Sequence, residues 1–211
     1  RKGHSNVNIA PMRIAFVGNQ DNNAYRLCRW IRQRDIDAHL YLFPRENPTR
    51  SKPELVDAEL ANGYPPWMRD YDDNTGLWPL TRGPVARRID SEYDLVVTSG
   101  ATGLLAVGHF KHAPVVHLTL GSEVSQFPLW MWRLKLPLKW RAASLLMRRN
   151  LKRVAKVVTL GFRPELHALE TLGHIGKTVI WGWPEDPQGN RQRVDRGELA
   201  KLTVDYADCD R

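Results

Sequence analysis

The residues of this 211-residue chain that could do chemistry gather where apolar runs end. Four such ends carry glycine with polar neighbours: Gly18-Asn19-Gln20-Asp21-Asn22-Asn23, Ser99-Gly100-Ala101-Thr102-Gly103, Gly121-Ser122-Glu123 and Gly161-Phe162-Arg163. Glycine turns the backbone through positive φ and leaves room for a ligand. A tight turn accounts for any one of these loops alone, whereas four at equivalent places point to one shared site. The third delivers a small, acidic turn to the end of the β-branched run PVVHLTL, directly before the most basic stretch of the chain.

Several chemistries are disfavoured by what these loops lack. The first is not G-x-G-x-x-G and no phosphate-binding lysine motif occurs, which argues against dinucleotide enzymes and P-loop ATPases. No G-x-S-x-G elbow is present, so a serine hydrolase is disfavoured. His109 and His112 have no Cys or carboxylate at ligand spacing and read as a solvated helix end, while His117 lies within a strand and reads as a core or supporting residue. No metal site is expected. The only cysteines, Cys28 and Cys209, sit near opposite ends, which suits a reducing, cytoplasmic setting better than a disulfide framework. No apolar run reaches the roughly 18 residues of a membrane span, and no leader pattern opens the chain, so a soluble or peripheral protein is expected.

These loops need a scaffold, and the hydrophobic pattern supplies one. Residues 12–17, 37–43, 93–99, 114–120, 154–160 and 177–183 are short runs rich in Val, Ile and Leu and read as buried strands. Between them, Ala24, Leu27, Cys28 and Ile31 recur at helical spacing with Asn22 or Asn23 as a cap, and helices are expected over 103–111 and 163–173. Alternating strands and helices predict an α/β, Rossmann-like domain: a mostly parallel sheet with helices on both faces, over 12–187. Residues 1–11 read as a disordered extension or tag remnant, and 44–80 as a long excursion with short helices. With 42% hydrophobic residues, the chain can bury a substantial core.

The formal charge of +8 is localised. Eight cations and no acid fall between residues 129 and 153, and the other 23 Lys and Arg are balanced by 23 Asp and Glu. Trp130, Trp132 and Trp140 interleave with leucines here, and Pro128 and Pro137 break the stretch into short pieces. Arg133, Lys135, Lys139, Trp140, Arg148 and Arg149 are the expected contacts to an anionic membrane surface. Core-packing helices with a solvated basic face, or nucleic acid, are the other readings.

Taken in order, MRIAFVGNQDNN, YDLVVTSGATG, PVVHLTLGSEV, VAKVVTLGFRPELHALETLG and KTVIWGWPEDP resemble the N-terminal half of GT-B fold glycosyltransferases, most like the retaining enzymes of family 4. The resemblance implies that the chain is the acceptor-side domain, with 188–211 as hinge and entry to a C-terminal domain that holds the nucleotide sugar. It implies Glu123 as the catalytic-site residue that hydrogen-bonds an acceptor hydroxyl. Ser99, Gly100, Gly121 and Ser122 would form the acceptor wall. Gly18, Asn19 and Asn22 would approach the donor diphosphate through backbone N–H groups. The same likeness implies retention without a metal or other cofactor, and as partners a nucleotide sugar, a glycan or lipid-linked acceptor and an anionic membrane surface. Many relatives carry histidine just before the glycine of the third loop; Leu120 stands here, so a histidine-dependent mechanism does not carry over. Two other readings fit the same pattern: a non-catalytic Rossmann-like module that binds RNA or an acidic polysaccharide, and a GT-B sugar-nucleotide epimerase.

Overall fold

The computed structural model describes residues 12–44, 51–72, 79–119, 121–132 and 137–180; the expected extension at 1–11 and hinge at 188–211 lie outside the described residues. Its centre is a seven-stranded, wholly parallel sheet in the order β3-β2-β1-β4-β5-β6-β7. The strands are β1 (Arg13–Val17), β2 (Asp37–Leu42), β3 (Met68–Asp70), β4 (Leu95–Ser99), β5 (Val115–Leu118), β6 (Lys156–Thr159) and β7 (Thr178–Ile180). The helices are α1 (Asn23–Arg32), α2 (Pro84–Glu92), α3 (Gly100–Ala106), the single turn α4 (Ser122–Ser125), α5 (Leu138–Leu151) and α6 (Arg163–Thr171). All six expected strands are present, and the sheet is Rossmann-like as the pattern implies.

Strand handedness explains which helix lies where. A parallel crossover is right-handed, so stepping from β1 to β2 places α1 on one face, and stepping from β4 through β7 places α3, α5 and α6 on the other. The core divides accordingly. Ile14, Phe16 and Leu40 pack with Ala24, Leu27 and Cys28 of α1. Ala15, Val17, Val96 and Val157 pack with Ile89, Leu104, Leu151 and Leu169 of the other helices. Phe16 is fully buried, which contributes about 2–3 kcal/mol. Past the edge of α1, an apolar groove of about 230 Å³ runs over the first face, between Leu27, Val97, Val116, Leu118 and Val158.

Four details differ from expectation. The excursion holds not only single-turn helices at Pro53–Leu55 and Ala58–Asn62 but also the edge strand β3, paired Leu40 to Met68. Three residues are too few to show a period. Helix α2, with Pro84 at its first turn, follows the excursion and was not legible, because Ala86 and Ile89 are its only buried apolar positions. Helix α3 starts at Gly100, three residues earlier than its apolar run suggests, and gives way to a tighter turn over Val107–His109.

His109 is not solvated. It is buried, with Nδ1 3.0 Å from the Tyr71 hydroxyl and Nε2 2.8 Å from the Pro79 carbonyl, and so ties the turn after α3 to the excursion. Nearby, buried Asp90 on α2 accepts from the backbone N–H groups of Lys111, His112 and Ala113 at 2.8, 2.8 and 3.1 Å and pairs with Arg82. Burial alone would raise the Asp90 carboxyl, but these donors hold it below its usual range. The chain between α3 and β5 is thereby fixed from below.

Candidate functional site at the carboxyl edge of the sheet

Because β1, β4, β5 and β6 are parallel and adjacent, their carboxyl ends open on one side of the molecule. The four glycines that follow them, Gly18, Gly100, Gly121 and Gly161, all adopt positive φ, of 85°, 70°, 142° and 84°. Between β1 and β4 the chain reverses its direction of travel across the sheet: the first crossover runs outward to β2 and the later ones run outward to β5. Loops diverge at such a point and leave a crevice. Gly18 and the Ser99–Gly100 pair lie at that point of the sheet, where Gln20 fills the space between them. Gly100 lies so close to Gln20 that an added Cβ would sit 2.5 Å from Gln20 Oε1, whereas a Cβ on Gly121 would meet nothing within 4 Å. The first pair is packed shut; the Gly121 turn faces open space.

The loop after β1 is bound into the protein. Asn19 is fully buried; its Nδ2 donates to Asn22 Oδ1 and to the Ser51 carbonyl, both at 2.7 Å, and its Oδ1 accepts from the Tyr25 N–H at 2.8 Å. Asn22, at φ 59°, donates to the Lys52 carbonyl at 3.0 Å. Neither expected residue caps α1 by its side chain; Asn19, from across the loop, satisfies a first-turn N–H instead. The Gly18 N–H donates to the Tyr41 carbonyl at 2.9 Å and the Asn22 N–H to the Asn19 carbonyl at 3.2 Å. Two of the three amides expected to face a diphosphate thus already donate within the protein.

The ends of β4, β5 and β6 are different. Ser99 is fully buried at the end of β4, and its Oγ has no hydrogen-bond partner. His117 is fully buried in β5 with Nδ1 2.9 Å from Thr98 Oγ1; its Nε2 has none. Burial pushes this imidazole down to about 3, so it is neutral in the folded protein. Thr119 and Glu165 follow on the same edge. The Gly161 N–H donates to Thr159 Oγ1 at 3.1 Å, and Thr159 in turn donates to Glu165 Oε2. Glu165 Oε1 has no partner. Thr119 Oγ1 makes no well-aligned hydrogen bond, yet lies near enough to Glu165 to favour its charged form. Burial, the largest influence, still raises this carboxyl above its ordinary value. Asn23, at the start of α1 on the same side of the sheet, is buried with both side-chain polar atoms unpartnered.

Folded proteins rarely leave buried polar atoms unsatisfied, because each costs about 1–3 kcal/mol. A row of hydroxyl, imidazole, amide and carboxyl groups at one sheet edge is therefore what a polyhydroxylated ligand or ordered water would satisfy.

The expected site residues fall into three sets. Gly18, Asn19, Asn22, Ser99, Gly100 and Gly121 lie at the carboxyl edge, as does the backbone of Ser122. Glu123, expected to reach an acceptor hydroxyl, is fully buried in the first turn of α4, which packs against α6. Lys139, Trp140, Arg148 and Arg149 lie on α5, away from the glycine turns in sequence; Arg133 and Lys135 lie outside the described residues. Sequence reading missed Thr119, Thr159 and Glu165, and gave Asn23 only a place in the first loop and a capping role. The available signal was a break in pattern: Thr98, His117, Thr119 and Thr159 interrupt otherwise apolar runs toward the strand ends. Among the described residues no group of three or more His, Cys, Asp or Glu is placed to hold a metal ion, and no helix is long and apolar enough to cross a membrane.

No family model matches the chain, and no curated protein is similar to it. Among solved structures it is similar to UDP-N-acetylglucosamine 2-epimerase from Rickettsia bellii, with a TM-score of 0.51 and 14% identity over 82% of this chain and 45% of that one. The chain spans less than half the length of that enzyme. At this identity the likeness carries the fold alone, a Rossmann-like α/β domain.

Proposed function

We propose that this domain forms the acceptor-side wall of a sugar-transfer site in a glycosyltransferase that uses a nucleotide sugar. The observation that carries the reading is the row of buried, unpartnered groups, Ser99 Oγ, Thr119 Oγ1 and Glu165 Oε1, along a glycine-tipped carboxyl edge. Sugars present many hydroxyls that both donate and accept, so a site of hydroxyls and a carboxyl held toward protonation suits them better than it suits a polyanion. Gly121, with open space around it, lets an acceptor approach. Glu123, fully buried beneath that turn, acts as a positioning residue for it; direct contact with an acceptor hydroxyl would need α4 to lift. The Gly18 loop shapes the donor side, held rigid by Asn19 and Asn22. Retention of configuration, with the leaving phosphate accepting the acceptor proton, follows from the family likeness.

A second reading, sugar-nucleotide epimerisation, is favoured by the similarity to UDP-N-acetylglucosamine 2-epimerase. The two differ in product: transfer releases nucleotide only when an acceptor is present, whereas epimerisation changes the sugar on the nucleotide with no acceptor at all. Saturation-transfer NMR of the chain against a panel of sugar nucleotides and oligosaccharides tests the site itself. Signal transfer to sugar protons that disappears in a Ser99→Ala/Thr119→Val variant of unchanged melting temperature supports the reading. Absence of transfer, or transfer indifferent to that variant, removes it.

A further inference from the structure

We infer that the outer face of α5 is an interfacial docking surface for an anionic lipid bilayer, an inference independent of the sugar chemistry. Helix α5 runs 14 residues, about 21 Å, and turns Ser144, Met147, Asn150 and Leu151 into the body. Asn150 anchors it by donating to the Leu104 and Leu105 carbonyls, each at 2.9 Å. The opposite stripe, at helical spacing, is Leu138, Ala142, Leu145 and Arg149, all exposed; Leu138 is 77% and Leu145 54% accessible. Leucines so exposed on a packed helix are unusual, and here they are flanked by cations alone. Lys139, Arg149 and Lys152 are exposed beside them, Arg141 and Arg148 are half-buried alongside, and the helix contains no acid.

At its first turn Trp140 is 48% exposed, with Lys139 Nζ 5.8 Å from its ring centroid. Trp140 shares the spacing of the inward residues Ser144, Met147 and Leu151, so the outer stripe consists of exposed leucines flanked by cations, an arrangement that suits a headgroup boundary, where alkyl groups enter hydrocarbon and cations reach phosphate. As the crossover from β5 to β6, α5 runs antiparallel to the strands. Its Leu138–Trp140 end therefore lies toward the carboxyl edge of the sheet, and its Arg148–Lys152 end toward the opposite edge.

Charge complementarity selects the occupant. A surface of cations alone would suit nucleic acid, but aliphatic leucines neither stack on bases nor pair with phosphates, whereas a bilayer accepts them among its acyl chains.

Co-sedimentation of the chain with vesicles of phosphatidylcholine alone, or containing phosphatidylglycerol, tests this. Binding about tenfold or more stronger to the anionic vesicles, falling with added salt, is expected. Lys139→Glu/Arg149→Glu/Lys152→Glu, all at exposed positions, should abolish that preference. Leu138→Ser/Leu145→Ser should weaken binding several-fold at unchanged charge. Melting temperatures of the variants report folding, and the lipid preference and salt dependence of the native chain remain readouts if a variant fails to fold. Equal binding to neutral and anionic vesicles, indifference of binding to both sets of substitutions in folded protein, or displacement from vesicles by single-stranded RNA would overturn the inference.

Discussion

The two halves of the sheet follow one pattern, strand, glycine turn, helix, and use their polar residues in opposite ways. After β1, the amides at the heart of the loop find protein partners: Asn19 makes three hydrogen bonds, and Asn22 both accepts from Asn19 and donates to Lys52, whereas Asn23, where the loop enters α1, stays unpartnered. After β4, β5 and β6, equally buried Ser99, Thr119 and Glu165 keep hydrogen-bonding capacity unused. The first half stores its polarity as rigidity, and the second holds it available. A loop that must keep its shape and an edge that must meet a ligand have different needs, although their sequences look alike.

The strongest way to break this contrast is at Asn19. Asn19→Ala removes three buried hydrogen bonds and should cost about 3 kcal/mol in urea denaturation, while leaving any sugar bound at the β4–β6 edge little affected in affinity. A cost well under about 1 kcal/mol would mean that the loop is not held as described.

Acidification probes the other half. His117 is held near 3 by burial, far below 6.5, so the unfolded chain takes up its proton first; the stability it contributes is present above pH 6.5 and is lost as pH falls below that value. The slope approaches about 1.4 kcal/mol per pH unit. His39 and His174, also lowered by burial, act in the same direction. Asp90, held below its usual 3.8, gives way only at still lower pH. Denaturation at pH 7 and pH 5 should therefore show a smaller acid loss in His117→Gln than in the native chain; equal losses would place His117 in contact with solvent.

Gly100→Ala comes next. With φ at 70° and its Cβ set against Gln20, it should cost about 1–2 kcal/mol, read as a lowered melting temperature. Smallest in stability is Thr119→Val, expected within about 1 kcal/mol of the native chain because no well-made hydrogen bond is lost. Its effect should appear instead in ligand affinity. A large destabilisation would show that Thr119 serves the fold, and the contrast between the halves would fail.

Much of the scaffold was legible because strands of Val, Ile and Leu between amphipathic helices leave few alternatives to a parallel sheet. Leu95–Ser99 and Val115–Leu118 fall within the runs that mark them. Helix α2 and β3 were hidden for a common reason: each is short and half-exposed, and is held by tertiary contacts such as Asp90 to the 111–113 backbone. At the site, the positions of the glycines could be read, but the state of their neighbours could not. Asn19 and Ser99 are both small polar residues beside glycine at strand ends; one is saturated and the other is not, and only the approach of Ser51 and Tyr25 to Asn19 makes the difference. Glu123 could be placed in sequence, but its complete burial within α4 could not.

The sequence by itself determined the class of fold and the place where chemistry would gather, because hydrophobic period and glycine position are local properties of the chain. Tertiary structure decided which polar groups remain available there and which face of the basic helix is bare. Those outcomes depend on residues brought together from as far apart as Asn19 and Ser51, or Leu104 and Asn150, and a hydrogen bond is settled by distance in space, which no local pattern encodes.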